Sequence, residues 1–417
     1  MTAEIISIGD ELLIGQVVNT NAAWMSRQLN LADAQVRHMS AVGDNAEDIR
    51  QSLDVALSRA EVVLLTGGLG PTHDDITKKV VAEYFDSAEM VMDEKVLAHI
   101  RALFQRRNLR MSPVNEAQAL VPKKATVLWN DYGTAPGLLF ERNGRYCAVL
   151  PGVPAEMQHL MTMRVLPFVK SKNKTVTIRH RTIRTFGIAE SHLFEKLSPI
   201  ADLEKFGKIA FLPHYAAVDV RISVYGADAQ DAEARIRAAE EYILARVGKY
   251  VFGFEDDTIE AVIGRLLIEK KATLAVAESC TGGLVAHRLT NVSGSSQYFD
   301  RGIVTYSNVA KVQMLGVPEE ILQQHGAVSE ECAKSMADGV RRVSGTTYGV
   351  ATTGIAGPTG GSEEKPVGLV WVGVATPARG FAQKALFAKD RHVNKERFSQ
   401  MALNLLYLEL KMNPDKP

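Results

Sequence analysis

The 417-residue chain has only three cysteines, Cys147, Cys280 and Cys332. They are odd in number and far apart, which argues against a disulfide framework and fits a reducing cytoplasm. The sequence has no CxxC pair and no HExxH, so nothing in it resembles a zinc site. No stretch reaches the roughly 18 apolar residues that cross a bilayer. The opening residues, MTAEIISIGDELL, have no basic leader ahead of a long apolar run, as a signal peptide would. A cytoplasmic protein without a membrane partner is therefore expected. Excess charge is also lacking: Lys+Arg and Asp+Glu number 48 each. No global field draws the chain to nucleic acid or anionic lipid, and any anion must be held by a local site. Repeats and low-complexity tracts are absent as well.

The composition is that of a globular protein, with 46% hydrophobic and 23% charged residues, in a chain long enough for two or three domains. Ala3–Ile8 and Glu61–Thr66 read as buried strands. Between them Ile49, Leu53, Ala56 and Ala60 fall on one face of a helix. Helices near Ile76–Phe85 and from Asp93, and an extended segment Tyr146–Leu150, continue the rhythm. Residues 1–170 are thus expected to form a parallel sheet with helices on both faces. Residues 171–252 read as a small α+β module: strand Lys174–Phe186, helix Glu190–Leu197, strands Lys208–Pro213 and Val218–Tyr225, helix Asp228–Val247. Residues 256–412 alternate again, with strands Thr273–Ala277, Gly302–Thr305, Tyr348–Thr353 and Leu369–Ala375 among helical stretches. The fold class is α/β.

Three polar clusters in this last unit each follow a predicted strand, the edge where open α/β sheets bind ligands. In AESCTGG, Ser279 leaves a strand, and Gly282 and Gly283 turn the backbone into the next helix. Free N–H groups there would hold an oxyanion or phosphate; alternatively Ser279 or Thr281 is a helix cap. In TYSNVAK, Asn308 reads as a cap and Lys311 lies in the first helical turn. The helix dipole disfavours a cation there, and burial would lower its pKa toward that of a base; the alternative is an exposed lysine covering apolar surface. The third cluster, Thr352–Gly368, is a glycine-rich loop matching neither GxxxxGK[ST] nor GxGxxG.

Together AESCTGG, GSSQYFDRGIVTYSNVAK, GAVSEECA and TGIAGPTGGSEEKPVGLVW resemble the C-terminal domain of the CinA (competence/damage-inducible protein A) family, whose stand-alone members are nicotinamide mononucleotide deamidases. The resemblance implies Ser279 as nucleophile, Lys311 as general base and Tyr306 as a supporting hydroxyl. It further implies that Ser296 lines the site, and that Thr281, Gly282, Gly283, Gly354, Gly357, Gly360, Gly361, Ser362 and Arg391 hold the nucleotide. The resemblance implies no cofactor for the deamidase reaction.

Two acidic clusters follow strands in the first unit, GDELLIGQVVNTN and TGGLGPTHDD. Gly67, Gly68 and Gly70 allow a backbone phosphate cradle. Carboxylates beside it suit Mg²⁺, although Asp74 and Asp75 also read as helix-capping residues. With GTAPG and LPGVPAEM these motifs are similar to the CinA N-terminal domain, which shares the MoaB/MogA-like three-layer fold. The resemblance implies a metal-dependent ADP-ribose pyrophosphatase. Asp74, Asp75 and Asp10 would hold a divalent metal (Mg²⁺ or Co²⁺), and Asp10, Glu11, Asn19, Asn21, Gly67, Gly68, Gly70 and Thr72 the nucleotide. A Nudix box is absent. The middle segment resembles the family's KH-type module but has no GxxG loop, so its basic residues from Lys170 to Arg184 point to a connector rather than to RNA.

The resulting expectation is a pyridine-nucleotide recycling enzyme acting on nicotinamide mononucleotide and ADP-ribose, with no direct nucleic-acid partner, assembled as a homodimer. A competence or DNA-damage accessory protein, or a molybdopterin-binding protein with a non-catalytic first domain, is the alternative.

Overall fold

In the computed structural model, which describes residues 1–70, 75–173, 177–214, 217–226, 228–387 and 390–412, strands without a polar face lie at the centre of each α/β sheet. The first unit contains β1 (Thr2–Ile8), β2 (Gln35–Val42), β3 (Val62–Thr66), a separate ribbon of β4 (Met90–Met92) and β5 (Leu120–Pro122), then β6 (Thr126–Leu128), β7 (Gly137–Arg142) and β8 (Arg145–Leu150). The sheet order is β2-β1-β3-β8-β7-β6. β3 is buried at all five positions, because it is flanked by parallel neighbours and covered on both faces. Alternate residues of β1 separate the two cores: Ile6 and Ile8 join Leu53 and Leu65 on one face, and Ala3 and Ile5 join Met25 and Leu64 on the other. The expected parallel sheet is corrected at one edge. β7 runs antiparallel to β8 and to β6, turned by Asn143 and Gly144 with φ of 53° and 74°, the left-handed pair of a two-residue hairpin.

The middle module is a four-stranded sheet of β9 (Thr177–Thr185), β10 (Lys208–His214), β11 (Ala217–Gly226) and β12 (Val251–Phe254) in the order β10-β11-β9-β12. Its basic residues are largely paired: Arg181 with Glu240 at 3.3 Å, and Arg184 with the buried Asp219.

The last unit has β13 (Leu274–Glu278), β14 (Phe299–Val304), β15 (Tyr348–Gly354), β16 (Leu369–Ala375) and β17 (Gly380–Leu386), ordered β14-β13-β15-β16-β17. β13 is parallel to both neighbours, whereas β16 and β17 are antiparallel. The helix Glu330–Ser344 covers one face through Cys332, Met336 and Val340. The helices Ile259–Glu269 and Arg391–Met412 cover the other. In both α/β sheets the first strand lies between the second and third, so the chain reverses its winding direction beside the first strand. Crevices form at such switch points. Among the described residues, no helix is long and apolar enough to cross a membrane.

Candidate active site

All five residues of β13 are buried, and its register pairs Glu278 with Val304 of β14 and Thr352 of β15. Ser279, Thr305 and the end of β15 are therefore delivered to one sheet edge. The Ser279 N–H donates to the Thr352 carbonyl at 3.0 Å, which fixes the serine at the start of its turn. The helix Asn308–Leu315 is capped by the Ser307 hydroxyl, which accepts from the Ala310 N–H; Asn308, expected as the cap, is its first helical residue. Side chains of a helix lean toward its N-terminus, so Lys311 reaches back under the sheet edge. It is 1% exposed. Its Nζ donates to the carbonyls of Thr305 at 2.9 Å and Tyr306 at 3.3 Å, and lies 3.2 Å from the Ser279 Oγ. Burial lowers the lysine pKa, opposed only by Cys332 and Cys280 nearby.

The free helix end expected behind Gly282-Gly283 is not free. Glu278, the last residue of β13 and 1% exposed, accepts from the N–H groups of Gly283, Val285 and Ala286 at 2.9, 3.1 and 2.8 Å. A buried carboxylate occupies the anion position of the helix Leu284–Thr290, so neither a substrate phosphate nor a cap from Ser279 or Thr281 is accommodated there. Thr281 is itself fully buried, and its hydroxyl pairs with that of Thr352 at 2.7 Å, which withdraws its side chain from the proposed nucleotide contacts. Among the described residues, the N–H groups of Cys280 and Thr281 donate to no backbone carbonyl.

Tyr306 contributes to the dyad through its backbone carbonyl. Tyr306 is 63% exposed, and its hydroxyl accepts from the Arg391 Nη2 at 3.3 Å rather than meeting Ser279. The Arg391 Nη1 donates to the Gly357 carbonyl at 2.7 Å, tying the final helix to the glycine-rich loop. Gly357 (φ 86°) has no room for a Cβ, which would lie 2.4 Å from Val367. Gly361 would meet the Val367 N–H at 2.8 Å, and Gly354 lies within β15. Gly360 and Ser362 stand on the exposed part of the loop, where the Ser362 hydroxyl accepts from the Lys365 N–H. Ser296 is not at this edge. It precedes β14, whose Phe299 pairs with Leu274 at the start of β13, so it belongs to the opposite end of the sheet, about 16 Å away at 3.3 Å per residue. Two residues went unread in the sequence. Asn394 is buried and donates to the Ala356 carbonyl at 3.0 Å. Lys395 brings its Nζ to 3.7 Å from where a Gly282 Cβ would stand. Their spacing of three and four from Arg391 was the available signal.

At the corresponding edge of the first sheet a cavity of about 520 Å³ is lined by Glu11, Asn19, Asn21, Asp44, Gly67, Gly68, Gly70, Asp75 and Glu156, among others. Asp10 is placed differently from expectation. Its Oδ1 accepts from the Asp44 N–H at 3.2 Å, and its own N–H donates to the Asp44 Oδ2, so Asp44 rather than Asp10 lines the cavity. Asn19 is committed to structure, capping the helix Thr20–Leu31 at the Ala22 N–H and donating to Ser7; Asn21 donates to the Gly152 carbonyl. A Cβ on Gly70 would meet the Asp75 Oδ2 at 2.4 Å, so glycine there is what lets that carboxylate approach the loop. The Gly67 N–H is spent on the Leu150 carbonyl. Thr72 and Asp74 lie outside the described residues. Among the described residues, no three His, Cys, Asp or Glu side chains gather as a ready metal cage.

Comparison with known proteins agrees along the whole chain. Residues 4–171 match the probable molybdopterin binding domain, residues 180–253 the damage-inducible protein CinA KH domain, and residues 256–410 the CinA C-terminal domain. The CinA-like protein of Chloroherpeton thalassium is 46% identical over 415 residues, covering 97% of this chain and 98% of its own. That of Salinibacter ruber is 46% identical over 407 residues with the same coverage, 97% and 98%. Among solved structures, the protein CinA from Thermoplasma acidophilum is 35% identical over 39% of this chain and 94% of its own, with a TM-score of 0.36. The chain belongs to the CinA family, with the molybdopterin-binding-type, KH-type and CinA C-terminal domains in that order.

Proposed function

We propose that the last domain hydrolyses the carboxamide of nicotinamide mononucleotide to nicotinic acid mononucleotide and ammonia. The observation that carries this reading is the buried Lys311 Nζ at 3.2 Å from the Ser279 Oγ. A neutral amine there has two N–H groups for the Thr305 and Tyr306 carbonyls, and its lone pair is left facing the serine hydroxyl. Lys311 takes the hydroxyl proton as Ser279 Oγ attacks the amide carbon. The oxyanion that forms meets the N–H groups of Cys280 and Thr281, the residues directly after the nucleophile. When the tetrahedral intermediate collapses, Lys311 returns the proton to the departing nitrogen and ammonia leaves. Water, deprotonated by the same amine, then cleaves the ester, releasing the acid and restoring Ser279. Lys311→Met should abolish ammonia release; wild-type turnover in that variant would refute the base assignment.

A second reading concerns the first domain, as a metal-dependent ADP-ribose pyrophosphatase of cytoplasmic, homodimeric protein. The hard oxygens of Asp75, Asp44 and Glu11 around a glycine-lined cavity suit a divalent cation that keeps water and substrate phosphates in its shell. Bound there, Mg²⁺ or Co²⁺ would shield pyrophosphate charge and lower the pKa of a coordinated water. ADP-ribose with either metal should give AMP and ribose 5-phosphate; no product with any divalent metal would favour a binding-only domain.

A further inference from the structure

A mononucleotide differs from its riboside only by a phosphate dianion, and a net-neutral chain must hold that charge locally. The obvious place, the N-terminus of the helix Leu284–Thr290, is filled by the Glu278 carboxylate, which takes three of its N–H groups. The N-terminus of the helix Arg391–Met412 is likewise taken, because Asp390 accepts from the His392 and Val393 N–H groups. Arg391 is committed to the Gly357 carbonyl and the Tyr306 hydroxyl. Among the described residues, one cation near Ser279 and Lys311 is left. Lys395 is half-buried, one turn beyond Arg391 on the same helix face. Its Nζ stands 3.7 Å from the Cβ position of Gly282, whose own N–H donates to the Ser279 carbonyl at 3.2 Å. Among the described residues no carboxylate and no carbonyl pairs with it. A half-buried ammonium without a partner forgoes the electrostatic compensation that such groups normally find, and an arriving phosphate would supply it through a charge-assisted contact.

We propose that Lys395 is the cation that binds the substrate's 5′-phosphate, and that it sets the preference for a mononucleotide over its riboside. For its ligand this rests on the deamidase reading. The geometry also explains why residue 282 is glycine in functional terms: at φ 61° a side chain is strained, and it would stand between the ammonium and the serine turn.

The test is equilibrium binding of two reaction products, nicotinic acid mononucleotide and nicotinic acid riboside, to the full chain and to Lys395→Met and Lys395→Arg. Neither ligand is turned over, so binding is read apart from catalysis. The wild type should favour the mononucleotide. Lys395→Met should reduce that preference by about tenfold or more, the scale of one charge-assisted contact, and Lys395→Arg should keep most of it. An unchanged preference in Lys395→Met would overturn the assignment. So would equal weakening of both ligands, which marks a structural role, or a wild type that binds neither ligand or both alike. Ammonia release from nicotinamide mononucleotide is measured alongside. If it is absent while the binding preference behaves as stated, the deamidase reading falls and the phosphate assignment stands.

Discussion

The Lys311 Nζ lies 3.2 Å from the Ser279 Oγ and 2.9 Å from the Thr305 carbonyl, in a position that is 1% exposed. Burial disfavours the charged form, so the folded pKa is below that of the unfolded chain. Between those two values the unfolded chain binds more protons than the native one, and stability rises with pH. Lys311→Met should therefore be an inactive but more stable protein. Its gain in stability should be largest below the folded pKa and shrink as pH approaches the roughly 10.4 of a free lysine. Denaturant unfolding across that range checks it; a Met variant less stable than wild type at neutral pH would contradict it.

The same shift gives the pH dependence of turnover. Because the amine must be neutral to accept the serine proton, kcat/KM should rise with pH and level off at a midpoint below about 10.4. A profile that falls across neutral and mildly alkaline pH would exclude Lys311 as the base.

Glu278 binds three backbone N–H groups of the turn that carries Ser279. Glu278→Ala leaves those donors buried without an acceptor, and should destabilise the chain by about 3 kcal/mol. Glu278→Gln, which keeps one acceptor oxygen, should lose less. Thermal or denaturant unfolding of the pair reads the difference.

Much of this was legible in the sequence, and the exceptions have physical causes. Long apolar runs such as Val62–Thr66 and the flanking of Ser279 and Lys311 by successive strands followed from periodicity. The hairpin at Asn143-Gly144 carried a turn signal that the strand-helix rhythm masked. Glu278 reads locally as a strand residue, and only the fold brings the next helix's N–H groups onto its carboxylate. Ser296 and Asp10 sit in motifs beside residues that reach the two sheet edges, yet sheet register and a backbone pairing turn them elsewhere. Sequence proximity cannot show direction. Lys395 has no motif of its own; its position one turn after Arg391 acquires meaning once the helix is seen to start at the sheet edge.

Tyr306 separates the two views of the dyad's surroundings. Its hydroxyl meets Arg391 and not Ser279, so Tyr306→Phe should lower kcat by less than about threefold and act mainly on KM. A loss of several orders in kcat would show that the hydroxyl takes part in proton transfer.

In the first domain Asp75 lines the cavity whereas Asp10 is held by the Asp44 backbone. Asp75→Asn should reduce ADP-ribose hydrolysis by about 10- to 100-fold or more, with Asp10→Asn milder. Both should leave ammonia release from the mononucleotide intact. Equal effects on the two reactions would contradict separate sites.

Ammonia release from nicotinamide mononucleotide, measured for the full chain and for Ser279→Ala, each checked for folding by circular dichroism, decides whether Ser279 is the nucleophile. Stoichiometric ammonia and nicotinic acid mononucleotide are expected from the wild type, and a fall of about 10⁴-fold or more in a folded Ser279→Ala, the scale seen when a catalytic serine is removed. Turnover undiminished in that variant, or none in the wild type, would contradict it.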